Sequence, residues 1–551
     1  MVDQLRKSWK YKVNVIFLSI ILSCQSNSPI EVEHLITADR IYICNEAFDY
    51  CEAMIIQDGK ILATGTSKEL NRKYKAKKTS NFNGFVYPGF IDAHSHFYGY
   101  GKTLTQVDLK NSTSLEDVIQ RTYEFAQQTD EYWIHGRGWD QTDWTEQGFP
   151  NNMKLSLIFP DRPVILRRVD GHAALANNKA LEMAGIDVNT RVDGGSIEIR
   201  NGQLTGILVD NAADLVLDLI PEPKRKTQII ALQSAEKNCY AAGLTTVTDA
   251  GLDLSTILLM DSMHKNAMLQ MKIYTMAKPS KENFDHWLEN GIYRSPNLVM
   301  RSFKLYADGA LGSRGAHLKE EYCDEAGHHG FWLTPLEKLD SFCTVLYDNG
   351  FQVNTHCIGD SANKKMLEFY AKNLGGENDL RWRIEHAQVV TPEDRELFTT
   401  YNIIPSVQPT HATSDMRWAE ERLCRERLEG AYAYKSLLAT NNYLPLGTDF
   451  PVESIYPLHT FHAAVFRTNA ERNPIGGFLP NEALSAQQAL LGITLWAAKA
   501  SFMEDQVGSL EVNKDADFVV LNEDLMTSNY PYGLKVKQTW TNGVQVYKAN
   551  W

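Results

Sequence analysis

Residues 337–356, which read EKLDSFCTVLYDNGFQVNTH, decide how this sequence is expected to fold. Residues 337–350 are an amphipathic stretch of helical length, and residues 351–356 are a short apolar run that ends in a histidine. A helix that leads into a short buried strand is the repeating unit of parallel α/β folds. In such folds the chemistry lies at the carboxyl ends of the strands. The sequence on either side of this stretch therefore shows whether the unit recurs.

Short runs rich in apolar and β-branched residues do recur along the middle of the chain. From residue 244 onward they are separated by amphipathic or polar stretches of helical length, such as residues 392–401 (PEDRELFTTY). Nearly every run ends in His, Asp or a nearby Lys. The alternation predicts an α/β fold with parallel βα units. The runs are GFVYPGFIDAH (84–94), RPVILRRVD (162–170), LTTVTDA (244–250), SFKLYAD (302–308), GFQVNTH (350–356), RWRIEHA (381–387), NIIPSVQP (402–409) and YLPLGTD (443–449).

The two ends of the chain resemble each other and differ from the middle. Residues 33–65 and 515–550 both alternate apolar with polar residues and contain glycine turns, which is typical of short antiparallel strands. We therefore expect one small β-sandwich built from residues 30–85 and 480–551. Residues 86–480 would form the barrel, with an insertion at about 130–235, where Gly, Asn and Asp are frequent.

Length and composition exclude several classes of protein. At ~150 residues per domain, 551 residues suggest three or four domains, although an α/β barrel often exceeds 250 residues. A chain that is 43% hydrophobic and 22% charged is neither disordered, nor collagen-like, nor a small disulfide-stapled module. The net charge of −13 disfavours nucleic acid as a partner. After residue 24 no apolar run reaches the ~20 residues of a spanning helix.

The N-terminus has the pattern of an export signal. Residues 1–12 are basic, residues 13–22 (VNVIFLSIIL) are apolar, and Ser23 and Cys24 follow. This order resembles a bacterial lipoprotein signal, which implies a signal segment at 1–24 and lipidation of Cys24. The expected location is then the periplasm or the outer membrane, with membrane contact only through the lipid. The alternatives are an uncleaved anchor or a simple secretory signal with an incidental cysteine.

Cysteines after Cys24 are odd in number and scattered, without CxxC spacing. They therefore predict neither a disulfide framework nor a zinc ribbon. Cys44 and Cys51 flank a predicted strand connection. They either pair in an oxidising compartment or remain free thiols.

The clearest chemical signal is GFIDAHSHF at residues 89–97. His94 and His96 are two positions apart at the end of an apolar run, so on a strand their side chains point to one face. Two imidazoles on one face can bind one metal ion, although the pair alone is a weak signal. Its alternative is two histidines of the core or the surface.

Three later strand ends strengthen the metal hypothesis. His356, His386 and Asp449 each close a predicted strand. Imidazole and carboxylate ligands together suit zinc or a similar divalent ion, which lowers the pKa of a bound water to ~7. Asp449 would accept the proton of that water and pass it to a leaving amine. The alternative role of Asp449 is to cap a helix.

Lys304 lies inside the predicted strand SFKLYAD, where an unpaired charge is costly. One solution is carbamylation by CO₂, which converts the ammonium into a carboxylate-like group that can bridge two cations. The other is an ion pair with an acid such as Asp308. Composition does not choose between them.

These motifs resemble the metal-dependent amidohydrolase superfamily, and more narrowly the branch that contains the N-substituted formamide deformylases. The resemblance covers residues 33 to 548. It implies a distorted TIM (β/α)₈ barrel with a β-sandwich made from both chain ends. The motifs are PGFIDAHSHF, GRGWDQTDW, VDGHAALAN, KLYADGALGSRGA, THCIGDSAN, RIEHAQ and LGTDFPVES.

The resemblance also implies roles for single residues. His94 and His96 would bind one metal ion with Asp449, carbamylated Lys304 would bridge to a second ion, and His356 with His386 would bind that second ion. Some members of the superfamily use one ion. Metal-bound hydroxide would attack the carbonyl of a linear N-formyl or N-acyl amine, with Asp449 moving the proton.

Four further residues are candidates for substrate binding. His172, Arg314, Trp139 and Asp360 lie in the matched motifs. Their alternatives are a structural hydrogen bond for His172, an ion pair for Arg314, apolar packing for Trp139 and a helix cap for Asp360.

Other functions stay open on the sequence alone. The same ligands serve hydrolysis of a cyclic amide or an ester, or deamination. A third alternative is a surface lipoprotein that binds a small molecule without turnover. The expected partner is a small-molecule amide, and self-association into a homo-oligomer is left open.

Overall fold

The computed structural model describes residues 29–146, 148–376 and 378–550. The predicted signal segment 1–24 and its Cys24 lie outside the described residues. Within those ranges, every helix is too short or too polar to cross a membrane.

Strands β1 to β21 form three sheets. In chain order they are β1 (Ile30–Tyr42), β2 (Tyr50–Gln57), β3 (Lys60–Gly65), β4 (Tyr74–Pro88), β5 (Phe90–Ser95), β6 (Val107–Asp108), β7 (Ile134–Trp139), β8 (Val164–Arg168), β9 (Ala173–Ala176), β10 (Gly195–Arg200), β11 (Gln203–Asp210), β12 (Leu244–Leu252), β13 (Lys272–Ala277), β14 (Tyr293–Arg294), β15 (Leu298–Tyr306), β16 (Gln352–Cys357), β17 (Arg383–His386), β18 (Ile404–Ser406), β19 (Phe518–Leu521), β20 (Val536–Thr541) and β21 (Val544–Lys548).

Helices connect and cover these strands. They are α1 (Ser67–Lys73), α2 (Phe97–Thr103), α3 (Leu115–Ala126), α4 (Met153–Ile158), α5 (Asn178–Met183), α6 (Asn211–Leu217), α7 (Arg225–Ala241), α8 (Leu254–Lys265), α9 (Lys281–Asn290), α10 (Leu336–Asp348), α11 (Asp360–Leu374), α12 (Glu396–Thr400), α13 (Pro409–Asp415), α14 (Ala419–Arg427), α15 (Tyr434–Asn441), α16 (Pro457–Phe466), α17 (Ala486–Gly492) and α18 (Leu495–Ala500). Short 3-10 turns lie at Gln141–Asp143, Pro392–Asp394, Leu428–Gly430, Pro480–Glu482 and Pro531–Gly533.

Both chain ends build one seven-stranded sheet, in the order β21-β20-β19-β4-β1-β2-β3. The sheet curls until its far edge meets the segment that leads into β19. Ile61 N donates to Lys514 O at 2.9 Å, and Ala516 N donates to Gly59 O at 2.9 Å. The curled sheet encloses an apolar core. That core includes Ile36, Ile41, Met54, Ile56, Ile61, Val86, Phe518 and Trp540.

The middle of the chain forms a parallel barrel of strand order β18-β17-β16-β15-β13-β12-β5, with β14 pairing outside this path. Residues 445–448 close the gap between its two edges. Val407 N donates to Pro445 O at 3.2 Å, and Ala93 N donates to Leu446 O at 3.2 Å. The seven strands and residues 445–448 together give eight strand positions and a nearly closed barrel. With the terminal sheet, this barrel confirms the predicted α/β fold class.

Two strand assignments from the sequence differ from the structure. RPVILRRVD forms β8, which lies in a separate sheet and not in the barrel. The barrel strand β13 was not among the predicted runs. Its residues are all buried and its carboxyl end carries Met276 and Ala277, so it lacks the polar end by which the other strands were recognised.

The insertion is a six-stranded sheet of order β10-β11-β9-β8-β7-β6. It spans residues 107–210, so it begins before the expected bound of 130 and ends before 235. Residues 225–241 instead form α7, whose Leu232, Cys239 and Tyr240 pack into the barrel core. The apolar face of that helix explains why it belongs with the barrel.

The expected start of the second sandwich segment at residue 480 is too early. Helices α17 and α18 intervene before β19. Ala497 and Ala498 of α18 pack against Ile91 and Ala93 of β5. Residues 486–500 therefore cover the barrel, and the terminal sheet resumes only at β19.

One disulfide joins Cys323 to Cys424, which are 101 residues apart in the sequence. Cys44 and Cys51 are free, so the pairing considered for them is not formed. The bonded cysteines meet because α14 packs beside the loop after β15. Their spacing in the sequence carries no sign of this contact.

Candidate metal centre

Strand β5 brings two imidazoles to the carboxyl end of the barrel. His94 is fully buried, and His96 follows the strand with a partly exposed side chain. The Nδ1 atom of His94 lies 2.6 Å from Glu385 Oε2, and Nδ1 of His96 lies 3.1 Å from the Ala250 carbonyl oxygen. When Nδ1 donates to these acceptors, Nε2 keeps its lone pair for a metal ion.

His386 ends β17, and His356 is the last residue but one of the neighbouring strand β16. The Nδ1 atom of His386 lies 2.7 Å from Gln408 Oε1, which again directs Nε2 to the centre. The His356 ring is 4.6 Å from the His386 ring between centroids. His386 has a φ of 73°, a left-handed conformation that costs energy in a residue with a side chain. This backbone turns the imidazole out of the strand.

Asp449 follows the segment that closes the barrel, and its carboxylate lies among the imidazoles. Its Oδ1 is 3.2 Å from His96 Nε2 and 3.7 Å from His94 Nε2. Its Oδ2 is 3.7 Å from Nε2 of His411. Asp449 also has a positive φ, 59°. Within the described chain, Oδ1 is buried without a well-formed hydrogen bond.

These residues fit a divalent metal ion. Ligand atoms of His94, His386 and Asp449 all lie within 4.8 Å of one another, and all three side chains are buried. Imidazole nitrogen and carboxylate oxygen are the ligands that zinc and similar ions prefer. The buried oxygen without a hydrogen bond has the partner it needs only when a cation binds.

Lys304 projects from β15 into the same centre. Its Nζ lies 3.0 Å from His94 Nε2, and the residue is 1% exposed. Burial lowers the pKa of Lys304 to about 8, although Glu385 and Asp449 act in the opposite direction. The ion pair with Asp308 considered from the sequence is not formed, because that carboxylate accepts backbone N–H groups of Ile358 and Gly359.

The histidines are held neutral. Burial, with the charge of Lys304 second, lowers the pKa of His94 to about 4. Burial and the neighbouring imidazoles place the pKa values of His356 and His386 well below the ordinary value. Neutral imidazoles have free lone pairs at pH 7, which is the state that binds a metal ion.

A cavity of about 410 Å³ opens above the centre. His172 is among its lining residues, and its ring lies 5.1 Å from that of His356. The Nδ1 atom of His172 is 2.7 Å from Asp210 Oδ1, which fixes its orientation. The insertion thus closes one side of the cavity, opposite the barrel.

Three predicted substrate-binding residues lie away from this cavity. Trp139 is 1% exposed in the insertion core, where its Nε1 donates to Leu166 O at 2.7 Å. Arg314 forms an ion pair with Asp324 at 2.8 Å. Asp360 accepts the Lys319 N–H at 2.8 Å and begins α11. Trp139 and Arg314 thus have the alternative roles weighed from the sequence, packing and an ion pair. Asp360 follows the N-cap residue Gly359 and does not itself cap α11.

Comparison with known proteins agrees with this geometry. The family model described as "Amidohydrolase family" matches residues 83–547. The chain belongs to the amidohydrolase family. It is 31% identical to Protein LONG AFTER FAR-RED 3 of Arabidopsis thaliana, over 97% of this chain and 95% of that protein. It is 24% identical to the N-substituted formamide deformylase of Arthrobacter pascens, over 90% of this chain and 95% of that protein.

A solved structure shares the architecture of this amidohydrolase. An uncharacterized metal-dependent hydrolase from Pyrococcus horikoshii superimposes with a TM-score of 0.75 at 25% identity. The match covers 91% of this chain and 99% of that one. The family, the similar structure and the ligand cluster agree on a metal-dependent hydrolase.

Several residues of the amidohydrolase site were missed in the sequence. Glu385 supports His94 and is itself 2.6 Å from Arg383 Nε, with both side chains fully buried. An acid and a base inside the buried run RWRIEHA were a signal that was not used. Gln408 lies two residues after β18, near the end of the run NIIPSVQP, so its position is a signal of the same kind as the other strand ends. His411 lies inside α13, away from the strand ends.

Proposed function

We propose that this amidohydrolase cleaves the carbon–nitrogen bond of a linear amide, an N-formyl or N-acyl amine. The observation that carries the proposal is the Asp449 carboxylate. Its Oδ1 lies between His94 and His96, and its Oδ2 faces the cavity side near His411. One carboxylate that touches both the metal ligands and the substrate cavity suits proton transfer during hydrolysis.

We propose zinc as the ion, held by His94, His96, His386 and Asp449, with Lys304 and His356 available for a second ion. Such an ion supplies Lewis acidity, which polarises a carbonyl and lowers the pKa of water. The protein supplies neutral imidazoles, buried and oriented by Glu385 and Gln408.

Asp449 is the proton carrier in this proposal. Burial by itself raises the pKa of Asp449, but contact with His96 and the charges of the other imidazoles lower it well below its usual range. The ionised carboxylate accepts a proton from water and delivers it to the departing amine nitrogen. His172, held by Asp210, lies where it can donate a hydrogen bond to the substrate carbonyl oxygen.

The substrate class is supported by the relative that is named an N-substituted formamide deformylase and aligns over nearly the whole chain. A cavity of about 410 Å³ accommodates a small amide. The bond cleaved is then an amide bond outside the peptide backbone.

The direct test is a panel of N-formyl, N-acetyl and longer N-acyl amines, assayed for release of amine. Asp449→Asn keeps the size of the side chain and is the blank. Turnover of at least one amide by the wild type, and its loss in Asp449→Asn with the bound metal largely retained, is the expected result. Binding of amides without turnover in both proteins would contradict the proposal.

We further propose that the protein is exported and anchored through lipidated Cys24. The disulfide between Cys323 and Cys424 supports this, because structural disulfides persist in oxidising compartments. Mass spectrometry of the N-terminal peptide tests it, with Cys24→Ser as the control. An unmodified Cys24 in protein from a bacterial membrane fraction would contradict it.

A further inference from the structure

Two arginines beside the cavity face each other without an acidic partner. Arg137 in β7 and Arg167 in β8 are paired in the parallel register of the insertion sheet. Residues paired in this way point to the same face, so two like charges lie side by side. A Cβ built on Gly171 would lie 2.9 Å from Arg137 Nη2 and 3.3 Å from Arg167 Nη2, which shows how closely the two groups converge.

Backbone carbonyl oxygens accept hydrogen bonds from only some of the N–H groups of Arg137 and Arg167. Arg137 donates from Nε and Nη2 to Val169 O at 3.3 and 3.0 Å. Arg167 donates from Nη2 to Gly171 O at 2.8 Å, while its Nε is buried without a partner. Among the described residues neither guanidinium forms an ion pair.

The lack of ion pairs at Arg137 and Arg167 contrasts with the neighbouring Arg168. Arg168 follows Arg167 directly and forms ion pairs with both Asp140 and Asp170. The acids whose charges act on Arg167 are Asp214 and Asp170, and Asp170 is already held by Arg168. Asp214 lies beyond ion-pair distance of Arg167, so neither Arg137 nor Arg167 is directly paired with an acid, and unpaired charge in a partly buried place is costly.

Lys110 adds a third cation to the same wall. It lines the cavity, and its backbone lies against Gly138, where a Cβ would be 2.6 Å from Lys110 N. Burial and then the charge of Arg137 lower the pKa of Lys110, while Glu453 and Asp108 act in the opposite direction. In the described part of the chain its Nζ has no hydrogen bond or ion pair.

This basic cluster, Lys110, Arg137 and Arg167, lies next to the metal centre. Val169, whose carbonyl oxygen accepts from Arg137, lines the cavity, and so does His172, which directly follows Gly171. Lys110 lines the same cavity as His356, His386 and Asp449. The cluster therefore lies at the edge of the cavity that holds the candidate metal ligands.

We infer that Lys110, Arg137 and Arg167 bind an anionic oxygen group, a carboxylate or a phosphate, on the molecule whose amide is hydrolysed. Planar guanidiniums hold such groups with charge-assisted hydrogen bonds. The inference rests on the proposed hydrolase function and narrows its substrate class to anionic N-acyl amines.

Matched substrates test the inference. N-formylphenylglycine and N-formylbenzylamine differ by one carboxylate, and N-formylphosphoethanolamine and N-formylethanolamine differ by one phosphate. The measured quantity is the ratio of kcat/KM for the anionic member to that for the neutral member. We expect wild type to favour one anionic member, and whichever pair shows the larger ratio identifies the group.

Substitutions of the cluster should lower this ratio by about 10- to 100-fold, as the loss of a charged hydrogen bond predicts. Arg137→Gln and Lys110→Met are the two variants, and Lys110→Met removes a head group that holds no other part of the fold. Arg191→Met is the control, because Arg191 is an exposed cation of the insertion that binds only backbone carbonyls of Val188 and Thr190. Circular dichroism checks that each variant is folded.

A binding measurement tests the anion site independently of the proposed amide hydrolysis. Calorimetry on the metal-loaded protein compares phenylacetate with the neutral phenylacetamide, whether or not any amide is hydrolysed. Tighter binding of phenylacetate that weakens in both variants and persists in Arg191→Met supports the anion site. Equal binding of the two probes, or a preference that both variants retain, overturns it, even when neutral amides are hydrolysed and the proposed function stands.

Discussion

The carboxylate of Glu385 lies 2.6 Å from Nδ1 of His94, and both side chains are fully buried. Burial by itself raises the pKa of Glu385, but the charges of Arg383 and His94 lower it below its ordinary range. The ionised carboxylate therefore fixes the tautomer and the ring orientation of a metal ligand.

We expect Glu385→Gln to weaken metal binding by about 10- to 100-fold, the range for partners that orient a ligating histidine. The amide no longer offers a charged acceptor to Nδ1, so His94 is held less firmly. Competition with a chelator measures the dissociation constant for zinc. Glu337→Gln, an exposed change at the start of α10, is the control and should leave it unaltered. An unchanged dissociation constant for zinc in Glu385→Gln would show that Glu385 does not support metal binding through His94.

Lys304 allows a test of carbamylation. Because its pKa is lowered to about 8, about one tenth of the amine is uncharged at pH 7 and can react with CO₂. Lys304→Ala should lower amide hydrolysis by about 10- to 100-fold, the range for loss of a group that positions a metal ion. Acetate or propionate should restore part of the rate by replacing the carbamate. ¹³C NMR with labelled bicarbonate detects the carbamate directly, and full activity in Lys304→Ala would exclude Lys304 from the reaction.

His34 makes the terminal sheet sensitive to acid. Burial, with the charge of Lys78 second, lowers its pKa from 6.5 to about 4, and its Nε2 lies 2.9 Å from Ser80 Oγ. Between pH 6.5 and 4 the unfolded chain binds this proton and the folded protein does not. Stability therefore falls as the pH is lowered through this window.

His34→Gln keeps a hydrogen-bonding group beside Ser80 and does not titrate. We expect the wild type to lose about 1 to 3 kcal/mol more than the variant between pH 7 and pH 4. Urea unfolding at pH 7, 5.5 and 4 measures how the unfolding free energy of each protein changes with pH. Parallel pH profiles for the two proteins would contradict the assignment.

The sequence predicts candidate metal ligands from the ends of apolar runs. His94, His386 and Asp449 each end such a run, and the parallel barrel brings their ligand atoms together, with the His356 ring 4.6 Å from that of His386. Strand β13 was missed for the complementary reason, since its end is apolar. A pattern that relies on polar strand ends therefore predicts the site residues more readily than it predicts every strand of the barrel.

Packing decides what the sequence leaves open. Trp139 was expected in the cavity, yet Leu166 O accepts its Nε1–H in the insertion core. A tryptophan in a glycine-rich motif gives no sign of which face it occupies. The contact between Cys323 and Cys424 likewise depends on how α14 packs, so the pairing follows only from the folded chain.

The disulfide between Cys323 and Cys424 gives a stability test. It closes a long loop, 101 residues, and its removal should cost about 2 to 5 kcal/mol. Cys323→Ser and Cys424→Ser should lower the Tm alike, and dithiothreitol should lower the wild-type Tm to the same value. Cys51→Ser, at a free cysteine, is the control. A wild-type Tm that does not respond to the reductant would contradict a stabilising role.

Lys272 joins the barrel to the terminal sheet. It begins β13, is fully buried, and its Nζ lies 2.7 Å from Asp517 and 3.3 Å from Asp515. Lys272→Met leaves the buried carboxylate of Asp517 without its cation, which should cost about 3 to 5 kcal/mol of unfolding free energy. Lys60 contacts the same Asp515 at 2.9 Å, but its side chain is 54% exposed.

Lys60→Met is therefore the matched control, with an expected cost of about 0 to 1 kcal/mol for an exposed ion pair. Adding Asp517→Asn to Lys272→Met should recover part of the lost stability, because one uncompensated charge is removed. Urea unfolding followed by tryptophan fluorescence measures all four proteins. Equal losses in the two lysine variants would mean that burial does not set the strength of this contact.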